Sequence, residues 1–245
     1  MPTGIKMEKS LGSNNQDFRV LPTLWGDIEG KKILDLGCGS GLYMRELSSR
    51  GAIPVGIDLK VETLLRNKGE EASVGSRLCH FVCADAEHLP FRDETFDMVL
   101  SVEVLTHIPP DVRSRVLSDV HRVMSEGALA FFTLHNSFRL KVGHWLRLRK
   151  AKNAYPTNNL TVWPLTPKVA RKNLNATSFE CDHVINYLNY HSRFSHSFYV
   201  AHPYWSRAVI MIEDVLCRLP FLRRLAITFL VRVRKVPPIS EMSIA

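Results

Sequence analysis

Through its first 136 residues the chain switches repeatedly between two patterns of apolar positions. Short, almost unbroken apolar runs at residues 31–36, 53–58, 78–84, 96–101 and 128–134 have the length and composition of strands buried on both faces. Between them, residues 42–50, 61–68 and 111–124 space their apolar side chains three and four positions apart, as a helix does when it buries one stripe. Gly51 stops the first of these helices, and Pro109-Pro110 opens the last. Strands alternating with helices imply right-handed crossovers. The predicted fold class is therefore α/β, a doubly wound, mainly parallel seven-stranded sheet with helices on both faces.

After His135 the rhythm breaks. Residues 137–165 start with a basic segment (Arg139, Lys141, Arg147, Arg149, Lys150, Lys152) and continue into a stretch rich in Pro, Asn and Thr, which reads as an insertion. Thr166-Pro167 opens a helix running through residue 174, residues 179–190 and 227–235 read as the closing strands, and residues 204–219 have helical apolar spacing. We expect residues 1–136 to form a ligand-binding core. Residues 137–245 supply an α-helical cap made of insertions, together with the last helix and strands of the same domain.

Charge sharpens this division. Residues 1–136 hold 15 Lys and Arg against 19 Asp and Glu, a net −4, whereas residues 137–245 hold 17 against 5, a net +12. So strong an imbalance favours an anionic partner for the second half, although a solvated basic surface is the simpler account of any single charge run. With 45% hydrophobic and 23% charged residues the composition is that of an ordinary globular protein. No apolar run has the roughly 20 residues that cross a bilayer, and residues 1–10 show no signal-like run, so a cytoplasmic protein is expected. The five cysteines are odd in number and scattered, which suits reduced thiols. Cys79 and Cys83 share a strand without a second ligand pair, so no metal is expected.

The candidate chemistry gathers at the ends of the first strands. Gly37-Cys38-Gly39-Ser40-Gly41 follows a strand and precedes a helix, a position where bare backbone and helix-terminal amides can approach a ligand closely. It is not the dinucleotide fingerprint, whose third glycine would fall at Leu42, and no lysine follows to make a phosphate loop. Asp58 ends the second strand, where a carboxylate can accept hydrogen bonds from both hydroxyls of a ribose, and Asp85 ends the third in the same way. Each has a bland reading as well: Asp58 as cap of the following helix, Asp85 as cap of the turn before Leu89-Pro90.

Taken together, Ile33-Leu34-Asp35-Leu36-Gly37-Cys38-Gly39-Ser40-Gly41, Val55-Gly56-Ile57-Asp58, Ala84-Asp85-Ala86-Glu87-His88-Leu89-Pro90-Phe91 and Phe96-Asp97-Met98-Val99-Leu100-Ser101 resemble, in order and spacing, the successive motifs of class I S-adenosylmethionine-dependent methyltransferases. The resemblance runs on through Leu105-Thr106-His107-Ile108 to the strand at 128–134. It implies S-adenosyl-L-methionine as cofactor. The backbone of Gly37, Cys38, Gly39 and Gly41 would meet its amino-acid end, with Asp35 supporting the loop or touching the amino group. Asp58 would take the ribose, Asp85 and Ala86 the adenine edge, Leu59 the adenine face, and the backbone near Ser101 and Val102 the methionyl end. Glu126-Gly127 departs from the Pro-Gly-Gly-like turn frequent in the family, a change expected to affect only that turn.

Methyl transfer needs chiefly alignment and exclusion of water, because the sulfonium already activates the methyl group. A hydroxyl or acidic carbon acceptor gains from a general base, for which His107, just beyond the fourth strand, is the first candidate and Glu103 the second. Their bland readings are that His107 orders the Ile108-Pro109-Pro110 turn and Glu103 pairs with the cap. The cap is basic and rich in aromatics (Trp145, Tyr155, Trp163, Tyr204, Trp205), which points to a small or lipid-like, anionic acceptor, with O-methylation favoured. Basic segments 138–152 and 218–224 point to peripheral contact with an anionic membrane. Two rivals remain open: an RNA methyltransferase, since Leu89-Pro90-Phe91-Arg92 and the basic cap faintly resemble wobble-base enzymes of tRNA, and a non-catalytic cofactor-binding regulator.

Overall fold

The computed structural model describes residues 16–74, 79–137, 155–157, 160–187, 212, 215, 216, 219, 226 and 228–236. Four strands run parallel through the middle of one sheet: β1 (Lys32–Leu36), β2 (Ile53–Asp58), β4 (Phe96–Val102) and β5 (Met124–His135). The short β3 (His80–Cys83) adds in parallel outside β2. On the other side β9 (Thr228–Lys235) pairs antiparallel with β5, and β8 (Phe179–Tyr187) pairs antiparallel with β9. The order is β3-β2-β1-β4-β5-β9-β8, the seven strands expected, with the parallel direction broken once at β9.

Neighbouring residues of a strand feed opposite faces, and the core divides accordingly. Leu34, Val99, Phe132 and Val231 pack with helices α4 (Pro110–Val123) and α5 (Pro167–Asn175), through Val116, Val120 and Leu174. Ile33, Leu100, Phe131 and Leu230 face the other way, against Leu21 and Trp25 at α1 (Gln16–Leu24) and Leu47 of α2 (Leu42–Ser49). Helix α3 (Val61–Val74) follows β2. Both faces are thus covered, which accounts for the unbroken apolar strands of the sequence. Because β1 to β4 are parallel, they end at one edge, and that edge holds Leu36, Asp58, Cys83 and Val102 side by side.

Several boundaries differ from the sequence reading. Helix α3 continues six residues past 68, because the apolar pattern that marks a helix ends before its hydrogen bonding does. Strand β5 starts at Met124 instead of 128 and cuts α4 short at Val123. Its register against β4 jumps between Phe96–Met124 and Met98–Leu129, which absorbs the Glu126-Gly127 turn, with Gly127 at φ 71°. That turn also takes part in packing: Lys235, buried, sets its ammonium 3.3 Å from Glu126 and donates to the Met124 carbonyl. Helix α1 escaped the sequence reading. Its Pro22 reads as a breaker, yet lies only two residues from the helix end.

In the inserted region the described part includes a small hairpin, β6 (Tyr155–Thr157) with β7 (Leu160–Val162), while the helical cap expected from the insertions falls largely outside the described residues. Val162 is buried, and Leu165 exchanges backbone bonds with His135 and Ser137, so the sheet edge holds this segment down. Basic segment 138–152, nearly all of 204–219, segment 218–224 apart from Leu219, and positions 188–190 of the predicted strand lie outside the described residues. Among the described residues no helix is long and apolar enough to cross a membrane, and no group of His, Cys, Asp and Glu could hold a metal ion.

Candidate active site at the carboxyl edge of the sheet

A cavity of about 570 Å³ opens where the parallel strands end. Its first wall is the glycine loop between β1 and α2. Gly37, Gly39 and Gly41 have φ of 71°, 48° and 71°, a region that side-chain-bearing residues rarely adopt. At Gly37 space is as decisive as conformation. A Cβ there would stand 2.4 Å from Cγ2 of Val104, across the cavity floor. The loop is pinned from behind: the Cys38 amide donates to the Ile57 carbonyl (2.8 Å), and buried Asn67 donates through Nδ2 to the Gly39 carbonyl (2.6 Å).

Of the predicted ligand contacts, Gly37, Gly39, Asp58, Leu59, Asp85, Ala86 and Val102 line this cavity, as do Glu103 and His107. Asp58 accepts from the Gly39 amide through Oδ2 (3.1 Å) and from the Lys60 amide through Oδ1 (2.9 Å), so it braces the loop. Asp85 accepts from the Glu87 amide (3.0 Å), the turn cap of the bland reading, while still facing the cavity. Leu59 is 67% exposed, an apolar side chain presented at the cavity.

Asp35, Cys38, Gly41 and Ser101 stand behind the wall. Cys38 points into the core beside Met44 and Leu64, and Gly56 leaves it room, since a Cβ there would lie 2.8 Å from Sγ. Burial foremost, then the charges of Asp35 and Asp58, raise its pKa above the ordinary thiol value. Asp35 is buried, and its Oδ2 meets no donor among the described residues. Burial, with a smaller contribution from Asp58, raises its pKa to about 7. Ser101 is wholly buried, its hydroxyl without a partner among the described residues, and the cavity wall begins at its neighbour Val102.

The opposite wall is the loop from Glu103 to Pro109. Glu103 sits at φ 62°, and such strain in a non-glycine residue persists only where its surroundings enforce it. Here the enforcing contacts are visible: the Glu103 amide donates to both Oγ1 (2.8 Å) and the carbonyl (3.2 Å) of Thr133 on β5. Its carboxylate lies 3.8 Å from Nε2 of His135, the last residue of β5, so among the described residues its partner belongs to the sheet. The Thr106 hydroxyl donates to the Glu103 carbonyl (2.8 Å), and the His107 amide to the Val104 carbonyl (2.8 Å). His107 is half-buried with its side chain on the cavity.

Beneath this loop Arg113 is buried, 2% exposed, and spends its guanidinium on backbone carbonyls: Leu105 (3.0 Å), Ile108 (2.9 Å) and Trp163 (3.1 Å). Burial lowers its pKa. Sequence reasoning missed Arg113, Thr133, His135 and Asn67. A signal existed for two of them: Arg113 shares the buried stripe of Val116, Leu117 and Val120, and Asn67 follows buried Leu64 by three, so each is a polar residue on an apolar helix face. The Leu89-Pro90-Phe91-Arg92 segment has an architectural explanation, since Arg122 donates to the carbonyls of Leu89 (3.0 Å) and Phe91 (2.8 Å) and pairs with Asp93 and Asp119.

Residues 34–132 match the family model described as Methyltransferase domain. A ubiquinone biosynthesis O-methyltransferase of Aliivibrio fischeri is 32% identical over 110 residues, 45% of this chain and 47% of that protein, so the chain spans about half the length of the curated relatives it matches. Among solved structures, an S-adenosylmethionine-dependent methyltransferase from Methanosarcina mazei superposes with a TM-score of 0.65 at 21% identity, covering 86% of this chain and 94% of that one. A methyltransferase of the same description from Mesorhizobium loti gives 0.64 at 18%, covering 89% and 97%. The fold is therefore that of class I methyltransferases.

Proposed function

We propose that this chain, with a methyltransferase domain at residues 34–132 inside a class I fold, moves a methyl group from S-adenosyl-L-methionine to a hydroxyl of a small, partly apolar molecule. What carries the reading is the convergence on one cavity of a glycine loop that tolerates no Cβ at Gly37, two strand-end carboxylates, and a second wall bearing Glu103 and His107. The residues present fit the cofactor. Asp58 and Asp85 face the cavity with acceptor oxygens, Leu59 offers an exposed apolar face, and buried Asp35 keeps one oxygen unpartnered beside the loop.

In this reading the loop backbone from Gly37 to Gly41, backed by Asp35, holds the amino-acid end. Asp58 takes the ribose hydroxyls, Asp85 and Ala86 the adenine edge, Leu59 its face, and the Ser101–Val102 backbone the methionyl end. When bound, the cofactor supplies a methyl group already activated by its sulfonium. His107 then takes the proton of the acceptor hydroxyl, and Glu103, beside His135, accepts a hydrogen bond that orients it. On the wall left for the acceptor the lining carboxylate is Glu103, which suits a hydrogen-bond-donating hydroxyl at the acceptor's reacting end. Any anionic or lipid-like portion answers to the basic charge carried by residues 137–245, which also favours a cytoplasmic protein touching anionic membranes.

Titration calorimetry with S-adenosylmethionine and S-adenosylhomocysteine tests the cofactor, and a screen of phenolic and alcoholic acceptors with methyl-labelled cofactor tests the transfer. No heat with either nucleoside would end the proposal. Binding of both without label transfer to any acceptor would leave the regulator. Flotation with phosphatidylglycerol vesicles at low salt tests the membrane contact, and protein remaining in the bottom fraction removes it.

A further inference from the structure

A guanidinium buried without a carboxylate is an expensive occupant of an apolar helix stripe, where methionine or leucine would pack without desolvating a charge. Among the described residues Arg113 meets no acid, and only carbonyl dipoles offset its burial. Those carbonyls come from two places. Leu105 and Ile108 flank His107, while Trp163 lies 50 residues beyond Arg113, just after the hairpin of the inserted region. Trp163 is bound to the loop a second time, its amide donating to the Thr106 carbonyl at 2.7 Å. One planar fork therefore grips both sides of the His107 turn and the insertion at once, a geometry that a lysine ammonium cannot reproduce.

We propose that Arg113 is a positioning residue that locks the inserted segment at Trp163 to the loop carrying Glu103 and His107, so that the pose of the insertion and the orientation of His107 are set together. The significance of His107 rests on the proposed methyl transfer. The mechanical coupling itself stands on the hydrogen bonds. Among the described residues the hydrogen bonds of Arg113 go to Leu105, Ile108 and Trp163 and none reaches the glycine loop, Asp58 or Asp85, so the coupling governs the acceptor wall and leaves the cofactor wall alone.

Nuclear magnetic resonance of the full chain tests this, observing the Cε1 proton of His107, identified with H107Q, and the indole N–H of Trp163, identified with W163F. Spectra are taken with and without S-adenosylhomocysteine for the wild type, R113K and R113M. We expect R113M to move both resonances together, R113K to move both part of the way, and the affinity for S-adenosylhomocysteine to stay within about twofold. A folded R113M in which His107 keeps its wild-type resonance, or in which only Trp163 moves, overturns the proposal. So does a change in S-adenosylhomocysteine affinity as large as the change on the acceptor wall, which would indicate general loosening. Should R113M fail to fold, R113K decides alone by the same two resonances. Failure of the wild type to bind S-adenosylhomocysteine would defeat the cofactor reading instead, because the coupled shifts are also read in its absence.

Discussion

The two walls of the cavity are built by different means. On the glycine-loop side, shape is set by backbone: positive φ at three glycines, a Cβ-free approach to Val104, and carboxylates at successive strand ends that bond to amides close by. On the side of Glu103 and His107, shape is set by side chains reaching from elsewhere: Thr133 and His135 at the end of β5, Arg113 on α4, Trp163 after the hairpin. The family match, residues 34–132, includes Glu103, His107 and Arg113 but stops before Thr133, His135 and Trp163, which hold them. A wall made of backbone geometry can be shared among relatives that bind one cofactor, whereas a wall made of long-range side-chain contacts can change with the acceptor.

This contrast breaks first if the backbone wall tolerates a side chain. In G37A the new Cβ meets Val104 and the residue must hold φ near 71°, so cofactor-site distortion of about 5 kcal/mol, on the order of a several-thousandfold loss of S-adenosylhomocysteine affinity, is expected. Calorimetry on a variant with native circular dichroism measures it. Binding within tenfold of wild type would mean that the loop is not the cofactor wall.

Asp35 tests whether the same wall is held at a cost. Its proton stays on to about pH 7 in the fold, against an ordinary 3.8. Between those values the folded chain binds a proton that the unfolded chain has lost, so the carboxyl's contribution to stability declines as pH rises through that window and levels off above it. Asn cannot ionise. D35N is expected to gain on the wild type by about 4 kcal/mol between pH 4 and pH 8, read from urea unfolding at each pH. Parallel curves for the two proteins would show that Asp35 ionises normally.

The acceptor wall is probed by H107A, expected to lower turnover about 100-fold with the best acceptor while S-adenosylhomocysteine affinity holds. Near-wild-type turnover removes the base. The mirror variant is D58N, expected to weaken cofactor affinity by about 2 kcal/mol, roughly thirtyfold, with little change in turnover at saturating cofactor. Loss of turnover without loss of affinity in D58N would erase the division of labour between the walls.

The difference between the walls also explains what could be read from the chain. The glycine loop, Asp58 and Asp85 were visible because local spacing encodes them: strand, turn and carboxylate follow within a few residues, and parallel order puts their ends at one edge. The same logic predicted the seven strands and placed His107 and Glu103 on the cavity. It could not show that Thr133 would hold Glu103 in a left-handed conformation, since that contact is made only when β4 and β5 align. Nor could it show the partners of Arg113: its place on the apolar stripe of α4 marks it as buried, but the carbonyls it reaches, above all that of Trp163, are brought to it only by the fold. The short hairpin of β6 and β7 was not legible either, because strands of three residues in a stretch rich in Pro, Asn and Thr carry no periodicity of their own.

The smallest effect isolates strain from chemistry at one residue. Glu103 holds φ 62° because Thr133 anchors its amide, and glycine adopts that angle without steric strain, at an entropic cost smaller than the strain relieved. E103G should therefore stabilise the fold by about 1 kcal/mol, raising Tm by about 3 °C in a chain of this size, while removing the carboxylate from the acceptor wall. E103Q keeps the strain and the side-chain length but not the charge. If Glu103 serves the acceptor, both variants lose turnover and only E103G gains stability, as differential scanning calorimetry would record. If E103G is no more stable than E103Q, the bonds from Thr133 fully offset the unfavourable angle, and the conformation carries no stored cost for the wall it shapes.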